Sequence, residues 1–216
     1  MEKKEWSLNE KIPWKLEGTR AWRTYRGGKL LDKMKGEEKP KDGYFPEEWI
    51  ISTVAARNTK MEGIKEEGIN KFYDADLTLK EVIEEKPFYY LGREHAEKYG
   101  SQTGVLVKII DAAERLTIQS HPDKKTAKEL FDSDYGKTEC WHILDRREMK
   151  EGPCVYIGFK EGVSENDWRE LFEKQDVEGM LNCLHKFAVK QGETYLIEGG
   201  IPHAIGAGCF LAERCV

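Results

Sequence analysis

Residues 104–123 read GVLVKIIDAAERLTIQSHPD, two short apolar runs separated by a charged turn. Aliphatic and β-branched side chains dominate Val105–Ile110 and Leu116–His121, and runs of this length bounded by Gly, Asp or Pro are typical of β-strands. The stretch therefore predicts two consecutive strands. It also marks the point where the chain changes from a mixed, polar pattern to a strand-rich one.

Short apolar runs continue toward the C-terminal end of the chain. The further predicted strands are Glu139–Leu144, Cys154–Phe159, Phe187–Val189, Thr194–Ile197 and Cys209–Glu213. Many short strands separated by turn residues favour a β-sandwich or barrel. Two predicted helices, Ser164–Lys174 and Val177–Leu184, interrupt the strands without alternating regularly with them, which disfavours a doubly wound parallel sheet.

The N-terminal part looks less regular. Residues 1–46 are polar and punctuated by Gly and Pro, so we expect an irregular segment with short strands that packs on a main domain covering residues 47–216. Trp49–Val54 is β-branched and predicts a strand. Thr78, with Glu81 three residues on, predicts a capped helix that Pro87 ends.

Composition limits the class of protein. Of the 216 residues, 39% are hydrophobic and 35% charged, and no apolar run approaches the ~20 residues that a membrane-spanning helix requires. The charged N-terminus has no secretory signal, so we expect a cytoplasmic protein that does not bind membranes. A net charge of −5 without a basic stripe argues against nucleic acid as a partner and favours small-molecule chemistry.

Four side chains stand out as candidate metal ligands. Gln119 and His121 lie two residues apart in a predicted strand and so share one face. Glu139 begins the next predicted strand, and His203 follows a glycine turn. Two nitrogens and two oxygens suit Zn²⁺ or a similar divalent ion. By itself, however, a strand histidine is more often structural than metal-binding.

The cysteines also bear on the kind of metal site to expect. The five cysteines are odd in number, widely spaced and lack a CxxC pair. This argues against both a disulfide framework and a thiolate zinc site. Any metal should therefore have nitrogen and oxygen ligands.

Three segments containing these side chains resemble, in the same order, the signature blocks of type I phosphomannose isomerases. They are Ile118-Gln119-Ser120-His121-Pro122-Asp123, Gly136-Lys137-Thr138-Glu139-Cys140-Trp141 and the stretch from Gly192 to Gly206. The resemblance implies a mainly β cupin barrel with a few inserted helices. It also implies one Zn²⁺ per chain, bound by Gln119, His121, Glu139 and His203.

Two lysines are candidate catalytic residues beside the metal. Lys108 lies in a strand that resembles the family's lysine-bearing strand, and Lys137 lies two residues before Glu139. A pair of ammonium groups would suit the phosphate of a sugar phosphate. The alternative is that they are surface lysines; strand alternation makes this less favourable for Lys108, which is isolated among aliphatic residues.

The resemblance implies metal-dependent interconversion of mannose 6-phosphate and fructose 6-phosphate through an enediol. In the family, an Asp- and Arg-bearing segment and a second β-domain follow the last block, and this sequence ends at Val216. We expect both to be absent. An inactive cupin that binds metal and sugar phosphate therefore stays open as an alternative, and an iron-dependent cupin oxygenase is a more distant one.

One further expectation concerns association between chains. The predicted strand at Cys209–Val216 would form an open edge of the barrel. Uncovered edge strands tend to pair with another chain. Self-association through this edge is therefore expected.

Overall fold

A computed structural model describes residues 13–56, 58 and 67–215. Residues 1–12 of the predicted N-terminal segment lie outside this range. Within it, no helix combines the length and the apolar character that crossing a membrane requires.

The described residues form two antiparallel sheets. The strands are β1 (Thr19–Ala21), β2 (Glu47–Ile50), β3 (Leu106–Asp111), β4 (Glu139–Arg146), β5 (Cys154–Phe159), β6 (Leu184–Ala188), β7 (Thr194–Ile197), β8 (His203–Ile205) and β9 (Cys209–Cys215). The larger sheet has the order β1-β2-β3-β9-β4-β7 and the smaller one β6-β5-β8. This confirms the expected mainly β architecture.

Seven helices of five to nine residues decorate the sheets in the described part of the chain. They are α1 (Lys29–Met34), α2 (Leu79–Glu85), α3 (Pro87–Leu91), α4 (Arg93–Tyr99), α5 (Lys124–Phe131), α6 (Glu165–Glu173) and α7 (Val177–Asn182). Thr78 and Ser164 each form a capping box with the residue three positions on, as the sequence predicts for α2 and α6. Pro87 occupies the start of α3, where its missing N–H costs nothing.

Strand register sorts the inward-facing side chains of the larger sheet into rows. Residues directly opposite each other on antiparallel strands project to the same side. One row is mostly apolar: Glu47, Ile110, Leu211 and Ile143. The next is mixed: Trp49, Lys108, Glu213, Trp141 and Tyr195. The third comprises Leu106, Cys215, Glu139 and Ile197.

The apolar core lies between the two sheets. It combines side chains from both sheets, among them Ile143, Leu211, Val155 and Ile205. Burying one aliphatic side chain of this size contributes about 1.5–3 kcal/mol. Buried polar side chains of the second and third rows, among them Lys108, Glu213 and Glu139, share the interior with this core.

The strand predictions around the candidate ligands need correction in two places. Leu116–His121 is not a continuous strand; it forms an isolated bridge that pairs Gln119 with His203. No strand was predicted at His203, which follows the glycine turn as expected and begins β8. Strand β8 has three residues, all of them buried, so its sequence shows no alternating pattern.

The N-terminal half also differs in detail from the prediction. The strand predicted at Trp49–Val54 covers Glu47–Ile50, and it ends because Ile51 has a φ of 51°. The helices α1, α3, α4 and α5 were not predicted. β1 pairs with β2, so part of the segment before residue 47 extends the larger sheet. The division at residue 46 stays a prediction.

The open edge expected at Cys209–Val216 is wrong for the described residues. Strand β9 lies between β3 and β4 and pairs with both along its length. The edges of the larger sheet are β1 and β7 instead. This removes the reason for expecting self-association through β9.

A buried ion pair ties the N-terminal segment to the barrel. The Asp111 carboxylate accepts hydrogen bonds from the Gly28 and Leu30 amides at 3.0 and 2.7 Å. It also accepts two from the Arg147 guanidinium at 2.9 and 2.7 Å. Asp111 is fully buried, and the Arg147 guanidinium also donates to the two oxygens of Asp42 at 2.9 and 2.6 Å.

Replacing Asp111 with Ala should lower the free energy of unfolding by about 3–5 kcal/mol, because it leaves two amides without their acceptor and the Arg147 guanidinium with Asp42 as its one remaining partner among these carboxylates. Urea denaturation of both proteins measures the loss. The exposed carboxylate of Asp145, which accepts only a local amide bond at 2.8 Å, provides the control variant Asp145→Ala. Equal losses in the two variants would contradict the structural role of Asp111.

Candidate metal centre

Main-chain hydrogen bonds bring the three candidate segments together. The Gln119 N–H donates to the His203 carbonyl at 2.9 Å, and the His203 N–H donates back at 2.8 Å. The Gly200 N–H donates to the His121 carbonyl at 2.6 Å, and the Lys137 N–H to the Pro122 carbonyl at 2.9 Å. The segment from Gln119 to Pro122 is thereby held between the other two.

Two glycines make this close approach possible. A Cβ at Gly136 would lie 2.7 Å from the Lys124 nitrogen, and one at Gly199 would lie 2.6 Å from Asp123 Cα. Both distances are far shorter than van der Waals contact, and the atoms met are backbone that cannot give way. Glycine is therefore required at both positions if the segments are to meet.

Three of the four candidate ligands converge. Glu139 Oε1 lies 2.9 Å from His121 Nε2, and Glu139 Oε2 lies 3.6 Å from His203 Nε2. One ligand atom of each residue fits within 4.8 Å of the others. Glu139 and His203 are buried, with 3% and 2% of their surfaces exposed. This spacing suits a single ion bound between them.

The His203 ring has the protonation pattern of a metal ligand. Its Nδ1 lies 2.8 Å from the Ile201 carbonyl, which can only accept, so Nδ1 carries the proton. Its Nε2 is buried and has no hydrogen-bond partner among the described residues. Burial also lowers the pKa of His203, against the opposing effects of the Ile201 carbonyl and Glu139, so the ring stays neutral. The orphaned lone pair on Nε2 fits a metal ion.

Glu139 supplies an ionised carboxylate. Burial by itself would raise its pKa, but hydrogen bonds and charges from His121 and Lys137 lower the pKa well below the usual range. The Lys137 ammonium lies 2.5 Å from Glu139 Oε1 and 2.9 Å from His121 Nε2. The Trp141 indole N–H donates to Glu139 Oε2 at 3.1 Å. The carboxylate is thus held in place and charged.

A cavity of about 330 Å³ opens beside these groups. Its wall includes Gln119, Lys108, Lys137, Glu139 and His203, so five of the six predicted site residues line it. The sixth, His121, contacts the site through Glu139 and Lys137. The structure brings the predicted residues together; their roles stay predictions.

Lys108 points inward, as strand alternation predicts. Its side chain is 11% exposed, and its Nζ donates to Glu213 Oε1 at 2.7 Å. Burial would lower the pKa of Lys108, but the carboxylates of Glu213 and Glu47 raise it above the usual range. Lys108 therefore carries a positive charge in the cavity wall.

Five charged residues of the cavity wall were not among the predicted site residues: Arg23, Glu47, Glu114, Arg115 and Glu213. Glu213 was detectable, because Cys209, Leu211 and Glu213 alternate along β9 and a charged residue at an inward position is unusual. Glu47 gave no such signal, since it follows a polar segment and was read as lying before the strand.

Comparison with known proteins agrees with this geometry. The family model for the catalytic domain of phosphomannose isomerase type I matches residues 21–140, more than half of the chain. Mannose-6-phosphate isomerase from Streptococcus mutans is 33% identical over 131 residues, which cover 59% of this chain and 39% of that protein. The enzyme ManA of Bacillus subtilis is 28% identical over 127 residues, or 57% of this chain and 38% of the relative.

Solved structures extend the likeness beyond the matched range. The mannose 6-phosphate isomerase of Bacillus subtilis superposes with a TM-score of 0.67 at 25% identity, covering 93% of this chain and 57% of that one. A variant of phosphomannose isomerase from Salmonella typhimurium gives 0.66 at 16% identity, covering 94% and 67%. These likenesses confirm the expected cupin fold. This chain spans well under two thirds of the length of the first relatives.

Replacing His203 with Ala should abolish stoichiometric metal binding, because it removes a buried nitrogen lone pair that has no hydrogen-bond partner among the described residues. Affinity should fall by more than the ~10–100-fold that loss of an outer-shell partner costs. Calorimetric zinc titration of the metal-stripped protein measures it.

The control for this variant is His142→Ala. His142 lies on β4, the strand that carries Glu139, but it is exposed, and its Nδ1 bonds to Thr194 Oγ1 at 2.9 Å. A His203→Ala protein that binds zinc as tightly as His142→Ala would exclude His203 as a ligand.

Proposed function

The chain belongs to the type I phosphomannose isomerase family, and from that membership we propose that it interconverts mannose 6-phosphate and fructose 6-phosphate with one bound zinc ion. The observation that carries this proposal is the unpartnered Nε2 of His203, buried beside the carboxylate of Glu139. A neutral imidazole and a charged carboxylate in a small cavity suit a Lewis-acidic metal.

Gln119, His121, Glu139 and His203 would hold the ion. A bound divalent ion would polarise the sugar's carbonyl and hydroxyl oxygens and offset negative charge in the transition state. The chain's own task is then to orient the substrate and to move one proton between its C1 and C2 carbons.

We assign the proton transfer to Glu213. Its carboxylate lies in the cavity wall, 4% exposed, with Oε1 bonded to the Lys108 ammonium. No hydrogen bond to its Oε2 is found within residues 13–56, 58 and 67–215. Lys108 suits this task less well, because its raised pKa keeps it protonated. Its ammonium instead supplies positive charge beside the base.

Cationic side chains on the cavity wall would attract the phosphate group. Lys137 lies on the cavity wall, and its side chain is 33% exposed. Arg115 lies on the same wall. A dianionic phosphate near these groups would direct the sugar's reacting carbons inward, toward Glu213 and the metal ligands.

Zinc-loaded protein should convert fructose 6-phosphate to mannose 6-phosphate, and the His203→Ala variant should not. The ligand change removes the metal and with it the stabilisation of the transition state, which is worth several kcal/mol. A coupled spectrophotometric assay, run beside elemental analysis of the same samples, measures both quantities.

The outcome separates the two functions that the sequence leaves open. Turnover that depends on His203 supports an isomerase. Stoichiometric zinc without turnover would reject the isomerase and leave a protein that binds metal and sugar phosphate.

Replacing Glu213 with Gln should lower kcat by about 10²–10⁴-fold, the range for loss of a general base, while KM changes little. The amide keeps the shape of the side chain but cannot accept the proton. Bound zinc should stay at the wild-type level, because Glu213 is not among the proposed ligands. Steady-state kinetics of this variant and of Glu148→Gln, an exposed glutamate, test the assignment; unchanged kcat in Glu213→Gln would reject it.

A further inference from the structure

We propose that Glu47 is a positioning residue for this reaction, which fixes the Lys108 ammonium against Glu213 in the cavity wall. The inference rests on the proposed function and extends it to a residue that neither binds the metal nor transfers the proton. The contacts of Glu47, the place of Lys108 between two carboxylates and the rigidity of the surrounding side chains support it.

Glu47 is buried, with 3% of its surface exposed, yet both of its oxygens are fully used. Oε1 accepts from the Tyr25 hydroxyl at 2.8 Å and from Arg23 Nε at 2.8 Å. Oε2 accepts from the Trp49 indole at 2.9 Å and lies 2.7 Å from Arg23 Nη2. Four donors around one carboxylate leave it a single position.

Lys108 lies between this fixed carboxylate and Glu213. Its Nζ is 3.9 Å from Glu47 Oε2 and 2.7 Å from Glu213 Oε1. The ammonium also lies 5.6 Å from the centre of the Trp49 ring, within range of a cation–π contact. The shorter distance shows that Lys108 bonds to Glu213, while Glu47 attracts it from the other side.

The Trp49 ring on which this arrangement depends cannot easily move. Gly68, at a φ of +89°, packs so closely that a Cβ there would lie 2.6 Å from the ring. The Arg23 guanidinium lies 5.2 Å from the centre of the same ring. The indole is thus held on one side by backbone and hydrogen-bonded to Glu47 at its edge, so Glu47 and Lys108 share a rigid neighbour.

The charge of Glu47, more than its volume, matters for the reaction. A buried ammonium shared by two carboxylates neutralises each only in part. Without the charge on Glu47, Lys108 would pair with Glu213 alone, and its ammonium would lose the second carboxylate that fixes its position. Glu47 lies one row away from Glu213 in the sheet, so substrate binding should be little affected.

The neighbouring Glu48 provides a matched control. It is also a buried glutamate of β2, but it faces the other side of the sheet and pairs with Arg20 at 2.9 Å and Lys35 at 2.6 Å. Glu47→Gln and Glu48→Gln therefore remove the same charge from opposite faces of one strand. Both variants lose a buried ion pair, so a difference in kcat between them reflects an effect on the cavity.

The experiment compares wild type, Glu47→Gln, Glu48→Gln and the charge-retaining, shorter variant Glu47→Asp. For Glu47→Gln we expect kcat to fall by about ten-fold or more, the scale of one lost preorganised electrostatic contact, with KM within about two-fold and zinc content unchanged. Glu47→Asp should fall between this variant and wild type. Glu48→Gln should keep wild-type kcat even where its melting temperature falls.

A second readout does not need turnover. In protein labelled with ¹⁵N-lysine, the Lys108 ammonium should give a slowly exchanging NMR signal, assigned by its absence from Lys108→Met. Glu47→Gln should broaden or shift this signal and Glu48→Gln should not. If wild type lacks isomerase activity, the proposed function fails while this measurement still decides the position of Lys108.

Two results would overturn the proposal. One is an equal loss of kcat in Glu47→Gln and Glu48→Gln, which would assign both effects to stability. The other is a Lys108 signal that is unchanged in Glu47→Gln. Should Glu47→Gln fail to fold, wild-type kcat and an unchanged Lys108 signal in Glu47→Asp overturn it equally.

Discussion

Two reciprocal main-chain hydrogen bonds between Gln119 and His203 hold the candidate metal centre together. On its other side His203 pairs with Ile157 of β5, so its backbone is fixed from two directions. The position of the ring is therefore restricted, and its Nδ1 donates a hydrogen bond to the Ile201 carbonyl. A side chain fixed in this way presents one nitrogen to the cavity at no further cost in conformational entropy.

The barrel interior can carry many charges because they are paired. Three buried carboxylates of the cavity wall each have a cationic partner: Arg23 for Glu47, Lys108 for Glu213 and Lys137 for Glu139. Buried ion pairs contribute little net stability, because desolvation offsets their attraction. All three carboxylates line the cavity, which indicates that they serve the site rather than the fold.

Some features of the fold and the site could be predicted from sequence, and others could not. β5 and β7 have the predicted bounds, because their apolar runs are bounded by clear turn residues. The capped helices α2 and α6 follow from local capping chemistry. The pairing of strands could not be predicted, because no local sequence pattern shows that β9 lies between β3 and β4. The predicted ligands lie together, but Glu47 and Arg23 reach the cavity through register and tertiary contacts that the sequence does not display.

The charge balance of the cavity wall bears on how metal and substrate would cooperate under the proposed function. The wall carries four formal cations, Arg23, Lys108, Arg115 and Lys137, and four carboxylates, Glu47, Glu114, Glu139 and Glu213. It is therefore neutral as a whole, and a sugar phosphate brings a charge of about −2. A divalent ion held by the chain would add the compensating charge, and by linkage each would then favour binding of the other. A neutral wall thus makes substrate affinity depend on the metal, which a permanently cationic wall would not.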